Sequence, residues 1–334
     1  MAYSDAGEYD AAVPYSIPLY FVPGQTLTGE MAARLGVRTE HDLFGGVVPF
    51  PFVASKVITH PLLNISAPGP PGWSTEFPRR VASVVLDGFS AFSKPDALLA
   101  GRGLLEQGDV RIKPATGVAG LGQSVAQNAG DLARALDAID PQELARSGVV
   151  IEQNLSDVTT YSIGQIRVAD VVLTYCGRQF VTTNNHGVEA YGGSEITVVP
   201  GDFDTLLTLR LDDDVRLAIE QARVYDSAAN DCFAGFFASR RNYDVAQGRD
   251  GANRRRSGVL EQSWRLGGAS GAEICALDAF RADPSLRTVR AATREVYGDH
   301  PTLPAEAVIL FSGVDPKVGQ LTKYAWTETH ADPR

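Results

Sequence analysis

A mixed α+β fold is what this sequence predicts, from three observations. Segments such as 96–108 (DALLAGRGLLEQG), 131–139 (DLARALDAI) and 213–237 space their apolar residues at the 3.6-residue helical period. Others, such as 161–183 and the pair 242–248 (NYDVAQG) and 257–264 (SGVLEQSW), alternate as strands do. Between the two kinds lies 110–125 (VRIKPATGVAGLGQSV), where Lys113-Pro114 runs into a loop punctuated by Gly117, Gly120 and Gly122.

In chain order, residues 1–16 are expected to form a flexible leader, and 28–35 (TGEMAARL) a short helix capped by Thr28 and closed by Gly36. An apolar run, 45–61, carries Lys56, and GPPGW at 69–73 breaks the chain. The spacing over 81–92 (VASVVLDGFSAF) predicts a buried helix. Lys94-Pro95-Asp96 marks the start of the next helix, which Gly108 ends. Beyond the glycine loop and the 131–139 helix, 148–155 (GVVIEQNL) is a buried strand. Strands then fill 161–183, and the longest helix covers 213–237. The 242–248 and 257–264 segments pair antiparallel across DGANRRRS. Residues 271–282 are helical and 307–313 (AVILFSG) is a late strand.

The chain has 334 residues, 44% of them hydrophobic, enough for a large core and two or three lobes. A formal net charge of −10 argues against non-specific nucleic-acid binding. Cys176, Cys232 and Cys275 lie far apart without a CxxC, which fits a reducing cytoplasm and gives no zinc signature. No apolar stretch reaches the length of a membrane span. A cytoplasmic protein with neither nucleic-acid nor membrane partners is therefore expected, and homo-oligomer formation stays open.

The chemistry gathers in few places. Glycines let backbone N–H groups approach a ligand, and a lysine on the strand before them adds fixed positive charge, so 110–125 reads as a strand-loop-strand phosphate cradle. It lacks the GK[ST] of a P-loop. Alternation along 259–264 points Glu261 and Ser263 to one face. Asp244 lies on the partner strand, and two carboxylates on adjacent strands suit a hard cation such as Mg²⁺. Arg265 follows on the same side, with a guanidinium shaped for bidentate oxygen contacts. Gly267, Gly268 and Ser270 precede a helix and offer N–H donors. Arg240 and Arg241 precede the Asp244 strand, and Arg254, Arg255 and Arg256 read as a solvated hairpin tip. The segment 182–194 (TTNNHGVEAYGGS) is a candidate substrate loop, with His186 a turn residue before it is a catalytic base.

This succession of helix, Lys-Pro strand, glycine loop, short helix, strand ending in Glu152 and acidic hairpin resembles the ATP-grasp superfamily of carboxylate–amine ligases, over roughly residues 50–290. The segments 240–248 and 258–273 also resemble an uncharacterised bacterial family of ATP-grasp-like pattern. The resemblance implies two α+β lobes gripping ATP. Residues 1–50 would be a truncated or reduced N-terminal lobe and 51–334 the core, with a lid lobe at about 94–150 and a metal and phosphate lobe at about 151–334. It implies that Lys56 and Lys113 bind ATP phosphates, that Gly117, Gly120 and Gly122 form the lid loop, and that Glu152, Gln153 and Asn154 face adenine and ribose. Asp244, Glu261 and Ser263 would hold Mg²⁺, Ser263 standing where the family usually has Asn, and Arg265 would clamp the transferring phosphoryl group. The implied reaction is ADP-forming ligation, a substrate carboxylate becoming an acyl-phosphate that an amine attacks. A non-catalytic nucleotide-binding protein with a degenerate site and a small-molecule kinase on the same fold are the alternatives.

Overall fold

The computed structural model describes residues 9–10, 13, 15–117, 122–298 and 301–328. Near the N-terminus, β1 (Leu27–Thr28) leads into α1 (Gly29–Leu35), and β2 (Gly46–Val48) lies parallel to β1. The Thr28 hydroxyl accepts from the Met31 amide at 3.3 Å, and Gly36 closes the helix at φ +76°, as the cap and stop residues predict. Two 3₁₀ turns follow, Pro51–Ala54 and Lys56–Thr59, the second completely buried.

The next unit runs α2 (Glu76–Val81), β3 (Gly88–Ala91), α3 (Lys94–Leu105), β4 (Val110–Pro114), β5 (Ser124–Ala126), α4 (Ala129–Asp137), α5 (Pro141–Ser147) and β6 (Val149–Gln153). Its antiparallel sheet has the order β3-β6-β4-β5. Register divides it into two faces. Val110, Ile112, Val149, Ile151, Ala91 and Ala126 face α3 and α4, packing with Leu104, Leu132 and Leu136. Gly101 lets α3 close on α4, since a Cβ there would stand 2.5 Å from Leu132. Arg111, Lys113, Val150 and Glu152 share the other face.

Residues 81–92 are not a helix. The helix ends at Val81 and 88–91 is β3. A turn bond from Val84 N to Val81 O follows the helix, and bonds from Val259 N to Val84 O and from Gln153 N to Asp87 O tie 84–87 to the neighbouring strands. A short apolar run suits either state, and pairing with β6 decides it. Helix α5 was not expected, although the Asp140 carboxylate caps it through the Gln142 and Glu143 amides.

The remaining chain builds an eight-stranded antiparallel sheet. It comprises β7 (Ser156–Val168), β8 (Val171–Thr183), β9 (Glu189–Pro200), α6 (Phe203–Leu207), α7 (Asp213–Cys232), β10 (Phe237–Ala238), β11 (Arg240–Arg249), β12 (Arg255–Ser263), α8 (Ser270–Ala282), β13 (Val289–Tyr297), β14 (Val308–Asp315) and β15 (Gly319–Glu328). Strand order is β12-β11-β7-β8-β9-β13-β15-β14, while β10 pairs with β2. One face packs on α7 through Ile163, Tyr243, Val245, Ala218, Ala222 and Tyr225. The other packs on α8 through Ile166, Tyr175, Ile196, Ala272 and Ala276. The expected helix at 213–237 stops at Cys232, because 237–238 pairs with β2 instead. The 3₁₀ turn at Lys56–Thr59 touches β3 and β6 of the smaller sheet and β12 of the larger one, so it joins the two α+β units.

Candidate functional site

Lys113 and Glu152 lie on the inner face of the smaller sheet, and their side chains form an ion pair removed from water. His60 joins them, its Nε2 3.1 Å from the second Glu152 oxygen. Burial alone would push the Glu152 carboxyl up, but the Lys113 charge and the His60 hydrogen bond outweigh it and hold it at about 2. An ionised carboxylate only accepts, so His60 Nε2 carries the hydrogen. Gly88 leaves room for this triad, since a Cβ there would meet His60 at 2.8 Å and Glu152 Cβ at 2.9 Å.

A second cluster sits on the β11–β12 hairpin. Asp244 and Glu261 are direct cross-strand partners, next to a bulge after Asp244. Register therefore places both carboxylates on the α8 side of the sheet. Gln179 Nε2 of β8 donates to Asp244 Oδ1 at 2.6 Å. Burial, reinforced by the Glu261 charge opposite, pushes the Asp244 carboxyl up to about 7.

Lys56 connects the clusters. Its Nζ is 2.7 Å from Glu261 Oε2 and donates to the Gly117 carbonyl at 2.9 Å. One buried ammonium thus ties the start of the glycine loop to the acidic hairpin. Gly122 lies at the loop's far end with φ +77°, a backbone conformation that suits glycine. Gly120 lies outside the described residues.

The other expected residues are differently engaged. Gln153 is opposite Val110, on the helix-covered face, so its side chain does not share Glu152's side. Asn154 Oδ1 accepts from Arg111 Nε at 3.1 Å. Half-buried Arg265 donates to the Leu266 carbonyl at 2.6 Å and has no ion pair among the described residues. Ser263 Oγ accepts from Arg240 Nη1 at 3.1 Å. His186 is an exposed turn residue whose Nε2 lies 3.4 Å from the Lys317 carbonyl. Arg254 and Arg256 bind Asp250 within the hairpin turn.

Three contributors were missed in the sequence. His60 stands in ITHP with no spacing partner. Tyr175 and Glu273 complete a buried network in which Glu273 takes Arg240 Nε at 3.1 Å and Nη2 at 2.7 Å, and Tyr175 donates to Glu273 at 2.5 Å. Glu273 reads as an ordinary helix charge, and only the fold brings it to Arg240.

The family described as "Protein of unknown function (DUF3182)" matches residues 1–325. The chain belongs to this family. Among curated proteins none matches it. Three solved structures illustrate what the family member is similar to. Carboxyaminoimidazole ribonucleotide synthase from Aspergillus clavatus, complexed with ATP, is 13% identical at TM-score 0.43, covering 75% of this chain and 66% of that one. D-alanyl-alanine synthetase A from Vibrio cholerae is 11% identical at TM-score 0.41, covering 72% and 62%. Phosphoribosylamine–glycine ligase from Thermotoga maritima is 17% identical at TM-score 0.47, covering 92% and 79%. The chain spans less than two thirds of the first two, and likenesses this loose carry no argument about chemistry.

Proposed function

We propose that this chain is an ADP-forming, Mg²⁺-dependent ligase that joins a small-molecule carboxylate to an amine. The observation that carries the reading is Lys56, whose single ammonium touches both the glycine loop at Gly117 and the hairpin acid Glu261. Residues 56, 117 and 261 are far apart in the chain, and a site for a triphosphate and a cation would use all three.

The donor set fits a triphosphate and a divalent cation. Lys56 and Lys113 would hold phosphate oxygens, while Gly117, Gly120 and Gly122 would close the loop over them and exclude water. Asp244 and Glu261 would hold Mg²⁺, which supplies charge neutralisation at the phosphates. Glu152, with Gln153 and Asn154, would serve the nucleoside side. In the present state Glu152 is the counter-ion of Lys113, so nucleotide binding would transfer Lys113 from carboxylate to phosphate. Arg265, without an ion pair among the described residues, is available to an incoming anion. The substrate carboxylate would attack the γ-phosphorus and release ADP, and the amine would displace phosphate from the acyl-phosphate. Positioning and charge carry such a reaction. The lid at about 94–150 and the metal lobe at about 151–334 belong to this reading. So does a cytoplasmic location. Independently of it, no helix among the described residues is long and apolar enough to cross a membrane.

The test is thermal stability with ATP or ADP and Mg²⁺ in wild type, Lys113→Ala and Glu261→Ala, followed by ADP and phosphate release against panels of carboxylates and amines. A ligand that binds only the folded state at a hundredfold its Kd adds about 2.7 kcal/mol, so the wild-type midpoint should rise by several degrees and the variants' much less. Equal shifts in all three would remove the site. Turnover without amine, leaving a stable phosphorylated product, would make the protein a kinase.

A further inference from the structure

Ser263 is where a second divalent cation would need a ligand, and its surroundings oppose one. Its hydroxyl accepts from Arg240 Nη1 at 3.1 Å, and the same Nη1 reaches the Ser263 carbonyl at 3.0 Å and the Arg265 carbonyl at 2.7 Å. The guanidinium cannot swing aside. It is fully buried, Nε and Nη2 are held by the equally buried Glu273, and Tyr175 steadies that carboxylate. Gly267 leaves space for it, a Cβ there standing 3.4 Å from both terminal nitrogens. A Mg²⁺ bound to Ser263 Oγ at about 2.1 Å would lie within about 5 Å of that permanent positive charge. Lys56 meanwhile already balances Glu261 at 2.7 Å. Asp244 and Glu261 face each other across the hairpin, and among the described residues no three His, Cys, Asp or Glu side chains are grouped to hold a metal.

The geometry points to a one-cation site: Asp244 and Glu261 take a single divalent ion, and Arg240, with Lys56, supplies the positive charge that a second ion would bring. Ser263 is then a positioning residue, presenting its hydroxyl to Arg240 and not to metal. This rests on the nucleotide reading above and specifies how that site is charged.

Mn²⁺ counted by the loss of its free electron paramagnetic resonance signal, in the full chain saturated with ADP, tests the inference without turnover. Wild type should bind one Mn²⁺ per chain. Ser263→Ala should bind one with affinity within about twofold, and Glu261→Gln should weaken binding at least tenfold. Two Mn²⁺ per chain, or a tenfold loss in Ser263→Ala, would overturn the single-cation site while leaving the nucleotide reading in place. No Mn²⁺ bound by wild type in the presence of ADP, together with no nucleotide-induced thermal shift, would remove both. The wild-type count decides the question even if a variant fails to fold.

Discussion

The two ion clusters, one on the smaller sheet and one on the β11–β12 hairpin, are built on opposite electrostatic plans. In the smaller sheet, one carboxylate has two partners, Lys113 and His60, and is held acidic at about 2. On the hairpin, two carboxylates face each other, and the Asp244 carboxyl is pushed up to about 7 by burial and by Glu261. The first cluster is complete without a ligand. The second sets two carboxylates against the single Lys56 ammonium, a surplus of negative charge that favours taking up a proton or a cation. The contrast separates a carboxylate whose charge is balanced within the fold from a carboxylate pair whose charge is not.

The largest effect should come from breaking the complete cluster. Lys113→Met leaves an ionised Glu152 buried with His60 as its remaining partner, and removing one member of a buried pair costs about 3–5 kcal/mol. The pH dependence should also change sign. In wild type, Glu152 stays ionised down to about 2, so its stabilisation is complete above about 4.5 and is lost as pH falls from there toward 2. In Lys113→Met burial dominates, the carboxyl is raised, and stability falls as pH rises above the ordinary carboxylate range. Urea melts from pH 4 to 8 check this. Unchanged midpoints in the variant would mean that water reaches Glu152 and that the two clusters are alike.

The opposite response is expected at the hairpin. Asp244 is raised from 3.8 to about 7, so the folded state holds its proton more tightly than the unfolded one. The penalty is absent below about 4 and grows as pH climbs through 7. Asp244→Asn should therefore stabilise the metal-free protein by on the order of 1–2 kcal/mol at pH 8, and hardly at all at pH 4.5, in the same melts. It should also abolish Mn²⁺ binding, and in wild type that binding should tighten as pH rises through 7, because the ligand must be ionised. A destabilised Asp244→Asn at pH 8 would show that Asp244 is a structural hydrogen-bond partner of Gln179 and not a strained ligand.

How much of this was legible in the sequence follows the same divide. The hairpin was readable because β-strand period two places Glu261 and Ser263 on one face of their strand, and DGANRRRS announces the turn back to the strand of Asp244. Lys113 and Glu152 stood out as charges inside apolar strands. That Glu152 neutralises Lys113 was not readable, since register between β4 and β6 depends on the whole lobe. His60, Glu273 and Tyr175 carried no local signal, because their partners lie 92, 33 and 98 residues away along the chain. The misreading of 81–92 has the same origin. Val81, Val84, Leu86, Ala91 and Phe92 are buried as expected, but Asp87-Gly88 and pairing with Glu152 and Val150 turn the second half into a strand.

The smallest effect sharpens the comparison most. Lys56 and Lys113 are equally buried, yet Glu261 is 29% exposed where Glu152 is 1% exposed. Water can therefore solvate Glu261 when its partner is removed, whereas nothing replaces Lys113 at Glu152. Lys56→Met keeps the apolar stem and removes the charge, so it should cost only about 1 kcal/mol in the same melts, several-fold less than Lys113→Met. It should nevertheless weaken nucleotide binding as severely as Lys113→Met does, read by titration with ADP and Mn²⁺. Loss of fold would place Lys56 with the structural cluster. Unchanged nucleotide affinity would leave it a simple tether between Gly117 and Glu261. Low structural cost combined with a large ligand cost is the pattern that the proposed ligand role of Lys56, between the glycine loop and the acidic hairpin, requires.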